Sequence, residues 1–374
     1  MDEYLTDRER LYYSRQMILP GWSEDIQLRL KASKVLVIGA GGLSCPLLQY
    51  LTRAGIGEIG IIDGDVVSYS NLHRQSLYSS TDVGASKAEL AAKRLRKVNP
   101  HITINSYNHY LSLDNVDELF QQYELVADGT DNFPTRYLIN DYAVKWGITN
   151  VFAAINGFEG QLAVFNYPLS NGRSGQYRDI FPAPPRAGQV PNCAENGVLG
   201  TSTAIMGSLQ AAEIIKVLLQ SSHVFYNQLV HIDLETLERR KIHYEAKKDS
   251  IAHSNSAKDY AGFLCSPAHK SDPLVRTYQN LKRLNKNGKS LHWIDVRSEK
   301  EHQLDPFNGK CIPWHSKRNV LEYKDYHPLV FYCQTGKRSM EALHEFKKRF
   351  PNLEAYSLEG GVESWLYHSE NIPG

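Results

Sequence analysis

The residues of the N-terminal half that could do chemistry begin with a glycine run. Apolar residues 35–38 lead directly into Gly39-Ala40-Gly41-Gly42, and a second apolar run at 59–62 ends in Asp63. Glycines after a strand let backbone N–H groups approach a phosphate, and the N-terminus of the following helix favours the anion. Asp63 lies about 20 residues beyond the last glycine, the spacing at which an acidic residue binds ribose hydroxyls. The pattern predicts a nucleotide-binding unit.

Charged residues around this unit suit a polyphosphate. Arg74, in Asn71-Leu72-His73-Arg74-Gln75, and Lys87 supply positive charge, and Arg15 precedes the first strand. Asp131 follows a buried apolar run, where ligands bind in open α/β sheets, and a carboxylate there can hold Mg²⁺ against phosphates. Each of these residues alone would more often form a surface ion pair. Their placement around one glycine loop instead favours a reaction at phosphorus, which depends on positioning and charge neutralisation.

Two cysteines stand at positions suited to covalent chemistry. Cys333 lies between the apolar run 329–332 and a helical stretch, so backbone N–H groups, the helix dipole, Lys337 and Arg338 should stabilise an anionic sulfur. That arrangement predicts a nucleophile, because a structural cysteine would more often lie inside the apolar run. Cys193 follows a loop rich in proline and glycine; it is either a reactive loop cysteine or a buried apolar side chain.

Alternating apolar runs and helical patterns must position these residues. Up to residue 154 the alternation is typical of an α/β protein with a doubly wound, mainly parallel sheet. The expected strands are 102–107, 124–128, 150–154 and 161–165, the expected helices are 85–98, 115–123, 134–146 and 202–220, and hairpin strands are expected within 224–244. Residues 171–189 are expected to form an irregular loop and residues 246–271 a linker. A second α/β alternation begins at Leu291.

Composition narrows the class of protein. A chain of 374 residues is long enough for roughly two or three domains with their own cores. Forty-two basic residues against forty-one acidic ones give no global electrostatic support for nucleic acid or a membrane surface as a partner. The five cysteines are scattered, as expected of reduced thiols rather than a disulfide framework. Residues 1–11 are charged and have no apolar core for a signal peptide, and no apolar run approaches membrane-spanning length. We therefore expect a soluble cytoplasmic protein.

In combination, the N-terminal motifs resemble those of the ubiquitin-activating-like family, and within it the chain is most similar to the MoeB/ThiF adenylyltransferases. The matching segments are Arg15-Gln16, Gly39 to Gly42, Asp63 to Asp65, Ser70 to Gln75, Gly84 to Lys87, Thr130 to Asn132, Asn192 to Gly200 and Gly207 to Glu213. The resemblance covers residues 5–245 and implies a Rossmann-like fold. It also implies adenylation, with ATP and Mg²⁺, of the C-terminal glycine of a small ubiquitin-like sulfur carrier protein ending in Gly-Gly.

The same resemblance assigns roles to individual residues. It makes Gly39, Gly41 and Gly42 the phosphate loop, Asp63 the ribose ligand, Asn71, Arg74 and Lys87 phosphate contacts, and Asp131 the Mg²⁺ ligand. Arg15 is similar to an arginine that reaches the nucleotide of a partner subunit, which implies a homodimer. Cys193 matches a cysteine that captures an acyl group or a persulfide in members with a fused sulfurtransferase.

One departure from the family concerns zinc. Close relatives carry two C-x-x-C pairs that bind structural zinc, but Gln176-Tyr177-Arg178-Asp179 stands in place of the first pair and no cysteine lies within 246–250. A tetrahedral thiolate site needs four ligands. We therefore expect no structural zinc, and we expect its loss to affect the stability of this part of the domain rather than adenylation.

The C-terminal motifs resemble a rhodanese domain over residues 272–374. The strand that begins at Leu291 ends in the sequence D-V-R at 295–297. A six-residue loop follows Cys333, and Gly360-Gly361 precedes Trp365. The resemblance implies that Cys333 carries transferable sulfur, taken from thiosulfate or from the persulfide of a cysteine desulfurase. A dual-specificity phosphatase of the same fold is an alternative, but only four residues separate Cys333 from Arg338, and the tighter loop favours sulfur over phosphate. Residues 311–326 are short for the middle helices of a rhodanese.

Two other function classes remain open from the sequence. An NAD-dependent dehydrogenase with a regulatory domain would explain the glycine loop and Asp63, but it gives Arg74, Lys87 and Asp131 no role. A non-catalytic scaffold that binds a ubiquitin-like protein would leave Asp131 and Cys333 unused. Molybdopterin, thiamine or related cofactor biosynthesis would each use the same sulfur chemistry, so the sequence leaves the pathway open.

Overall fold

The computed structural model describes residues 4–184, 197–247, 274–286, 290–305, 307, 309–314, 328–334, 336–362 and 365. The chain divides into two compact units, Met1–Leu264 and Cys265–Gly374. Cys193, Cys265 and Thr335 lie outside the described residues, as does the predicted linker beyond Lys247.

The first unit is built on one large sheet. Its strands are β1 (Lys34–Ile38), β2 (Glu58–Ile62), β3 (Thr103–Tyr107), β4 (Leu125–Asp128), β5 (Thr149–Asn156), β6 (Glu159–Phe165), β7 (Pro168–Leu169), β8 (Gly172–Arg173), β9 (Gln228–Asp233) and β10 (Arg239–His243). Eight of these described strands pair in the order β10-β9-β6-β5-β4-β1-β2-β3, while β7 and β8 form a separate hairpin. Pairing is parallel from β3 to β5 and antiparallel from β5 to β10. The α/β fold class expected from the sequence is confirmed.

Helices cover both faces of this sheet. The described α-helices of the unit are α1 (Asp7–Met17), α2 (Glu24–Ala32), α3 (Ser44–Ala54), α4 (Lys87–Val98), α5 (Val116–Gln122), α6 (Phe133–Trp146), α7 (Tyr177–Ile180) and α8 (Gly200–Leu218), and two 3-10 turns lie at Tyr69–Asn71 and Ser80–Asp82. Thr6 and Glu9 form a capping box at the start of α1, and Asn132 caps α6 just before Pro134. Gly55 and Gly147 end α3 and α6 in the left-handed conformation.

The core lies in two layers, one on each side of the sheet. Val35 and Val37 of β1 point into the layer formed with α3, α4 and α8. Leu36 and Ile38 point into the other layer, which contains Phe120 of α5 and residues of α6. Because neighbouring strand residues face opposite sides, a continuous apolar run is what a strand covered on both faces requires.

The second unit is a smaller parallel sheet. Its described strands are β11 (Val275–Arg276), β12 (His292–Asp295), β13 (Lys310–Cys311), β14 (Leu329–Tyr332) and β15 (Ala355–Leu358), and its described helices are α9 (Tyr278–Lys286), α10 (Glu299–Leu304) and α11 (Lys337–Arg349). The strands pair in parallel in the order β11-β15-β14-β12-β13. The carboxyl end of β14 therefore lies inside the sheet, and Cys333 follows it directly.

Parts of the expected element order were wrong or missing. Residues 171–189 were expected to form a loop, yet β8 and the single-turn helix α7 lie within 171–184. Such short elements carry too little periodicity to be recognised in the sequence. The sequence also gave no expectation for α1 and α2. Within the described part of the chain, no helix combines the length and the apolar character needed to cross a bilayer.

Candidate functional site

Three loops leave the sheet side by side at the carboxyl ends of β2, β1 and β4. Ile38 pairs in register with Ile62 on one side and with Asp128 on the other. The Gly39 N–H donates to the Ile62 carbonyl at 2.8 Å, and the Gly129 N–H donates to the Ile38 carbonyl at 3.1 Å. Gly39 has φ +93°, and a Cβ there would lie 3.2 Å from the Gly129 carbonyl oxygen. The predicted phosphate loop is therefore held against its neighbours by backbone contacts that only glycine allows.

Asp63 ties the glycine loop to the end of β2. One carboxylate oxygen accepts the Ala40 N–H and the other accepts the Asp65 N–H, both at 2.7 Å. Burial raises the pKa of the Asp63 carboxyl, and the positive charge of Lys87 opposes that rise. Each carboxylate oxygen has two acceptor sites, so both retain capacity for a ribose hydroxyl.

Lys87 lies next to Asp63 at the start of α4. Its side chain is 6 % exposed, and its ammonium group contacts the Asp65 carboxylate at 3.2 Å. The Tyr110 hydroxyl donates to the same carboxylate. Asp65 therefore fixes a buried cation beside the predicted ribose ligand.

Arg74 and Asn71 lie in the segment that follows, beside Gly42. A Cβ at Gly42 would lie 3.4 Å from the Arg74 Cγ. The Arg74 guanidinium donates to the Ser70 carbonyl at 3.1 Å and to the His73 Nε2 at 2.7 Å. Burial and the Arg74 charge lower the pKa of His73, so the ring is neutral at pH 7 and its nitrogen can accept that bond. The Asn71 side-chain oxygen accepts from Gln75 Nε2 at 3.0 Å, which orders the turn.

Asp131 is exposed at the end of the β4 loop. The loop is held from below by Asp128, whose carboxylate accepts the Thr130 N–H at 3.0 Å and the Thr130 hydroxyl at 2.7 Å. Among the described residues, no three His, Cys, Asp or Glu side chains form a group that could hold a metal ion. One exposed carboxylate still fits Mg²⁺, which usually takes one or two carboxylates and fills its remaining positions with phosphate oxygens and waters.

Arg15 lies away from this crevice. The neighbouring Gln16 donates from Nε2 to the carbonyl of Ala54, at the C-terminal end of α3. The 11 residues of α3 make it about 16 Å long, and the glycine loop lies at its other end. Arg15 is exposed on the last turn of α1 and does not join the other predicted residues in the crevice of its own chain.

Sequence reasoning missed a group of buried polar residues beneath the crevice. Gln210 of α8 donates from Nε2 to the carbonyls of Asp128 and Val151, at 2.8 and 2.9 Å. Arg136 of α6 donates to the Thr130 carbonyl at 2.9 Å. Asp128 ends the apolar run of β4. A carboxylate at the end of a buried strand is the sequence signal from which its role in holding the next loop could have been predicted. These contacts hold the loop that carries Asp131.

Cys333 lies in a backbone cradle in the second unit. Its side chain is buried, and its Sγ accepts the Gly336 N–H at 3.2 Å and lies 3.7 Å from the Ser339 hydroxyl. Gly336 has φ +92°, which turns the chain back over the sulfur before α11 begins. Ser339 is in turn 2.8 Å from the Ser357 hydroxyl of β15. The cradle can hold an anionic sulfur by hydrogen bonding from the backbone.

The described arginines around the Cys333 loop are paired with carboxylates. The Arg338 guanidinium donates to both carboxylate oxygens of Glu301, so its charge is partly neutralised before it can act on Cys333. Arg297 is fully buried against Asp295 and also donates to Gln334 Oε1 at 3.2 Å. The side chain of Lys337 lies outside the described residues.

Comparisons with known proteins agree with this two-part architecture. Residues 13–253 match the model of the ThiF family, and residues 277–368 match the rhodanese-like domain. Over 369 residues the chain is 38 % identical to the probable adenylyltransferase/sulfurtransferase MoeZ of Mycobacterium tuberculosis, covering 96 % of this chain and 94 % of that protein. It is 41 % identical over 403 residues to the adenylyltransferase and sulfurtransferase MOCS3 of Xenopus laevis, covering 98 % and 88 %. The sulfur carrier protein adenylyltransferase of Thermus thermophilus is 48 % identical over 238 residues, covering 63 % of this chain and 88 % of that one.

Solved structures share the fold of part of the chain. The crystal structure of PaaA has a TM-score of 0.55 at 20 % identity and covers 66 % of this chain and 76 % of its own. That of MccB from E. coli with ATP has a TM-score of 0.54 at 22 % identity and covers 66 % and 75 %. The family model spans more than half of the chain, and the full-length relatives cover nearly all of it. The protein is a member of the ThiF family that carries a C-terminal rhodanese-like domain.

Proposed function

We propose that the protein transfers AMP from ATP to the C-terminal glycine of a small ubiquitin-like sulfur carrier ending in Gly-Gly, and then delivers sulfur to it from Cys333. The observation that carries the proposal is the crevice in which Gly39, Asp63, Arg74 and Lys87 meet, together with the separate sulfur cradle at Cys333. Relatives that match nearly the whole chain are named adenylyltransferase and sulfurtransferase, which supports this activity over a dehydrogenase.

The first step needs positive charge more than acid–base chemistry. A carboxylate oxygen of the carrier attacks the α-phosphorus of ATP, the bond to pyrophosphate breaks, and an acyl adenylate forms. Both reactants are anions, so Arg74 and Lys87 would screen their approach while Gly41, Gly42 and Asn71 hold the phosphates. Asp63 would orient the ribose. A Mg²⁺ ion held by Asp131 would neutralise phosphate charge.

The second step uses the chemistry of sulfur. The terminal sulfur of a Cys333 persulfide attacks the acyl carbon, AMP leaves, and an acyl disulfide to Cys333 remains. A thiol, for which Cys193 is the candidate, then takes the Cys333 sulfur into a disulfide and releases the carrier thiocarboxylate; a thiol reductant restores both cysteines. Tethering both activities in one chain raises the effective concentration of the persulfide and limits hydrolysis of the adenylate.

We assign the remaining features to the same proposal. The adenylation domain covers residues 5–245 and the rhodanese domain 272–374, joined by a linker at 246–271. Arg15, exposed at the far end of α3, would reach the nucleotide of a second copy in a homodimer. The sulfur donor would be thiosulfate or the persulfide of a cysteine desulfurase, and the product would serve molybdopterin or thiamine biosynthesis in the cytoplasm.

The test supplies the protein with candidate carriers, ATP, magnesium and thiosulfate. We expect carrier-dependent exchange of pyrophosphate into ATP, and a carrier whose mass shows one oxygen replaced by sulfur. Failure of exchange with every Gly-Gly carrier would support a non-catalytic scaffold instead. The variant Cys193→Ala should retain exchange and lower thiocarboxylate formation; an unchanged yield of thiocarboxylate would remove Cys193 from the mechanism.

A further inference from the structure

Residues 176–179 stand where the family resemblance places a zinc-binding cysteine pair, and they contact Lys247, at the described end of the segment where it places the second pair. Asp179 of α7 accepts the backbone N–H of Lys247 at 3.1 Å, and the Lys247 ammonium donates to the Asp179 carbonyl at 2.9 Å. The second carboxylate oxygen of Asp179 accepts the Gln176 N–H at 2.7 Å. These contacts join residues 68 positions apart in the sequence.

A second pair fixes α7 to α6. Arg178 donates from Nε to one carboxylate oxygen of Asp141 at 2.6 Å and from Nη2 to the other at 2.7 Å. The two side chains are 3 % and 0 % exposed. The guanidinium carbon lies 4.7 Å from the centre of the Tyr137 ring, and Nη1 donates to the Pro182 carbonyl at 3.2 Å. A buried ion pair with this two-point geometry and further hydrogen bonds has its charges well compensated.

These residues do not fit a zinc ion. Structural zinc requires four ligands, mostly thiolates or imidazoles, and here the group consists of two carboxylates, a guanidinium and an ammonium, of which the two cations cannot bind a metal ion. Both oxygens of Asp141 are engaged by Arg178, and one oxygen of Asp179 faces the Lys247 N–H. No group of three metal-ligating side chains occurs within the described ranges that include these segments.

We propose that Asp141, Arg178, Asp179 and Lys247 form a polar clasp that does the work of structural zinc in this chain. The clasp joins Lys247, the last described residue of the first unit, to α7, and Arg178 also holds the carbonyl of Pro182 just after α7. It therefore fixes α7 against α6 and against Lys247 without a metal ion. This metal independence of the fold does not rest on the proposed function.

The first test uses the full-length protein as purified. Elemental analysis should find less than about one-tenth of a zinc ion per chain, and a strong zinc chelator should leave the melting temperature unchanged, since no group of described residues supplies even three metal-binding side chains. Stoichiometric zinc, or a melting temperature that falls on chelation, would overturn the proposal even if the protein adenylates carriers normally.

The second test breaks and rebuilds the buried pair. Asp141→Leu strands the Arg178 charge and should lower the melting temperature by about 5–10 °C, whereas Asp141→Leu with Arg178→Met removes both charges and should recover most of that loss. Arg240→Met is the matched control, because the Arg240 side chain pairs with Glu238 at the exposed surface and its loss should shift the melting temperature by less than about 1 °C.

Local hydrogen exchange separates a clasp from a general loss of stability. In Asp141→Leu, the amides of Asp179 and Phe181, which are hydrogen-bonded within α7, should exchange faster by at least about tenfold, while those of β1 follow only the global change. Equal acceleration at both places, or an Asp141→Leu variant as stable as the wild type, would show that the pair anchors nothing.

Discussion

Glu301 binds both terminal nitrogens of Arg338, with Oε1 at 2.6 Å from Nη2 and Oε2 at 2.8 Å from Nη1. Oε2 also accepts the N–H and the hydroxyl of Ser298, at 2.9 and 2.8 Å. The pair thus joins the first turn of α10 to the first turn of α11, directly after the Cys333 loop. Since the guanidinium is satisfied within the unit, the loop carries less unopposed positive charge than its sequence indicates.

The first prediction concerns the pH dependence of this pair. Burial alone would raise the pKa of the Glu301 carboxyl, but bonds from Arg338 and Ser298 outweigh it and lower the pKa to about 2. The pair therefore stabilises the unit fully above about pH 4.5, and its contribution is lost as the pH falls towards 2. Glu301→Gln should cost about 1–2 kcal/mol at pH 7 and nearly nothing near pH 2.

Urea unfolding followed by the fluorotryptophan NMR signals of Trp293 and Trp314 would report on this unit within the full chain. Glu299→Gln is the matched control, because Glu299 is exposed on the same helix and the same charge is removed. A cost for Glu301→Gln that stays constant between pH 7 and 2 would contradict the assignment.

The choice of sulfur donor gives a second prediction. Thiosulfate is a dianion and needs unopposed positive charge near Cys333, which Glu301 reduces by engaging Arg338. Glu301→Gln should therefore lower the KM for thiosulfate by about threefold or more, with kcat changed less. Formation of thiocyanate from thiosulfate and cyanide measures this, with Glu299→Gln again as the control. An unaltered KM would show that Arg338 does not face the donor.

A third prediction separates the two activities. Cys333→Ser should abolish sulfur uptake and thiocarboxylate formation while carrier-dependent pyrophosphate exchange continues, because the cradle belongs to the second unit. Cys311→Ser is the matched control, because Cys311 is a half-buried free thiol of the same unit. Its described hydrogen bond is a weak one, from Sγ to the Arg297 carbonyl at 3.8 Å. Mass spectrometry after incubation with a sulfur donor would detect the persulfide. A persulfide that persists in Cys333→Ser would place it on another cysteine.

The crevice gives a fourth prediction. Arg74→Ala and Asp131→Asn should each lower the rate of pyrophosphate exchange by about 10²–10³. The first removes positive charge that offsets the phosphates, and the second removes the carboxylate that would hold Mg²⁺ against them. Arg53→Ala should have no effect, since Arg53 donates to the Gln49 carbonyl on the exposed side of α3. Wild-type exchange in either crevice variant would exclude that residue from the site.

Arg15 provides the fifth prediction, which depends on a second copy of the chain. Arg15→Ala and Asp131→Asn chains should each retain at most about a hundredth of wild-type exchange, but co-refolded in equal amounts they should recover roughly a quarter of it, because half the dimers would contain one intact site. Light scattering would confirm the dimer. Recovery of no activity, with dimers present, would show that Arg15 acts within its own chain or not at all.

Local patterns in the sequence predicted most of the first unit because its strands are continuous apolar runs. The helices expected at 85–98, 115–123 and 134–146 correspond to α4, α5 and α6 within two residues at each end. The parallel order of β1, β2 and β4 also brings Gly39, Asp63 and Gly129 together, as ligand sites in open sheets require. Those residues were predictable because strand ends share one edge of a sheet.

Contacts between residues far apart in the sequence could not be predicted in this way. Arg338 and Glu301 are 37 residues apart, as are Arg178 and Asp141. No periodicity links such pairs, and an isolated arginine looks the same in the sequence whether it faces a ligand or a buried carboxylate. The expectation that Arg338 would serve Cys333 was therefore incomplete, and the polar clasp was not foreseen.

The polar clasp also changes what can damage this part of the molecule. A thiolate metal site is lost when peroxide oxidises its sulfurs or when the cell runs short of zinc. Carboxylate, guanidinium and ammonium groups are inert to peroxide, and they need no supply of metal. A protein that handles reactive sulfur would thus keep its adenylation unit folded under oxidative stress, and oxidation would affect the cysteines rather than this part of the fold.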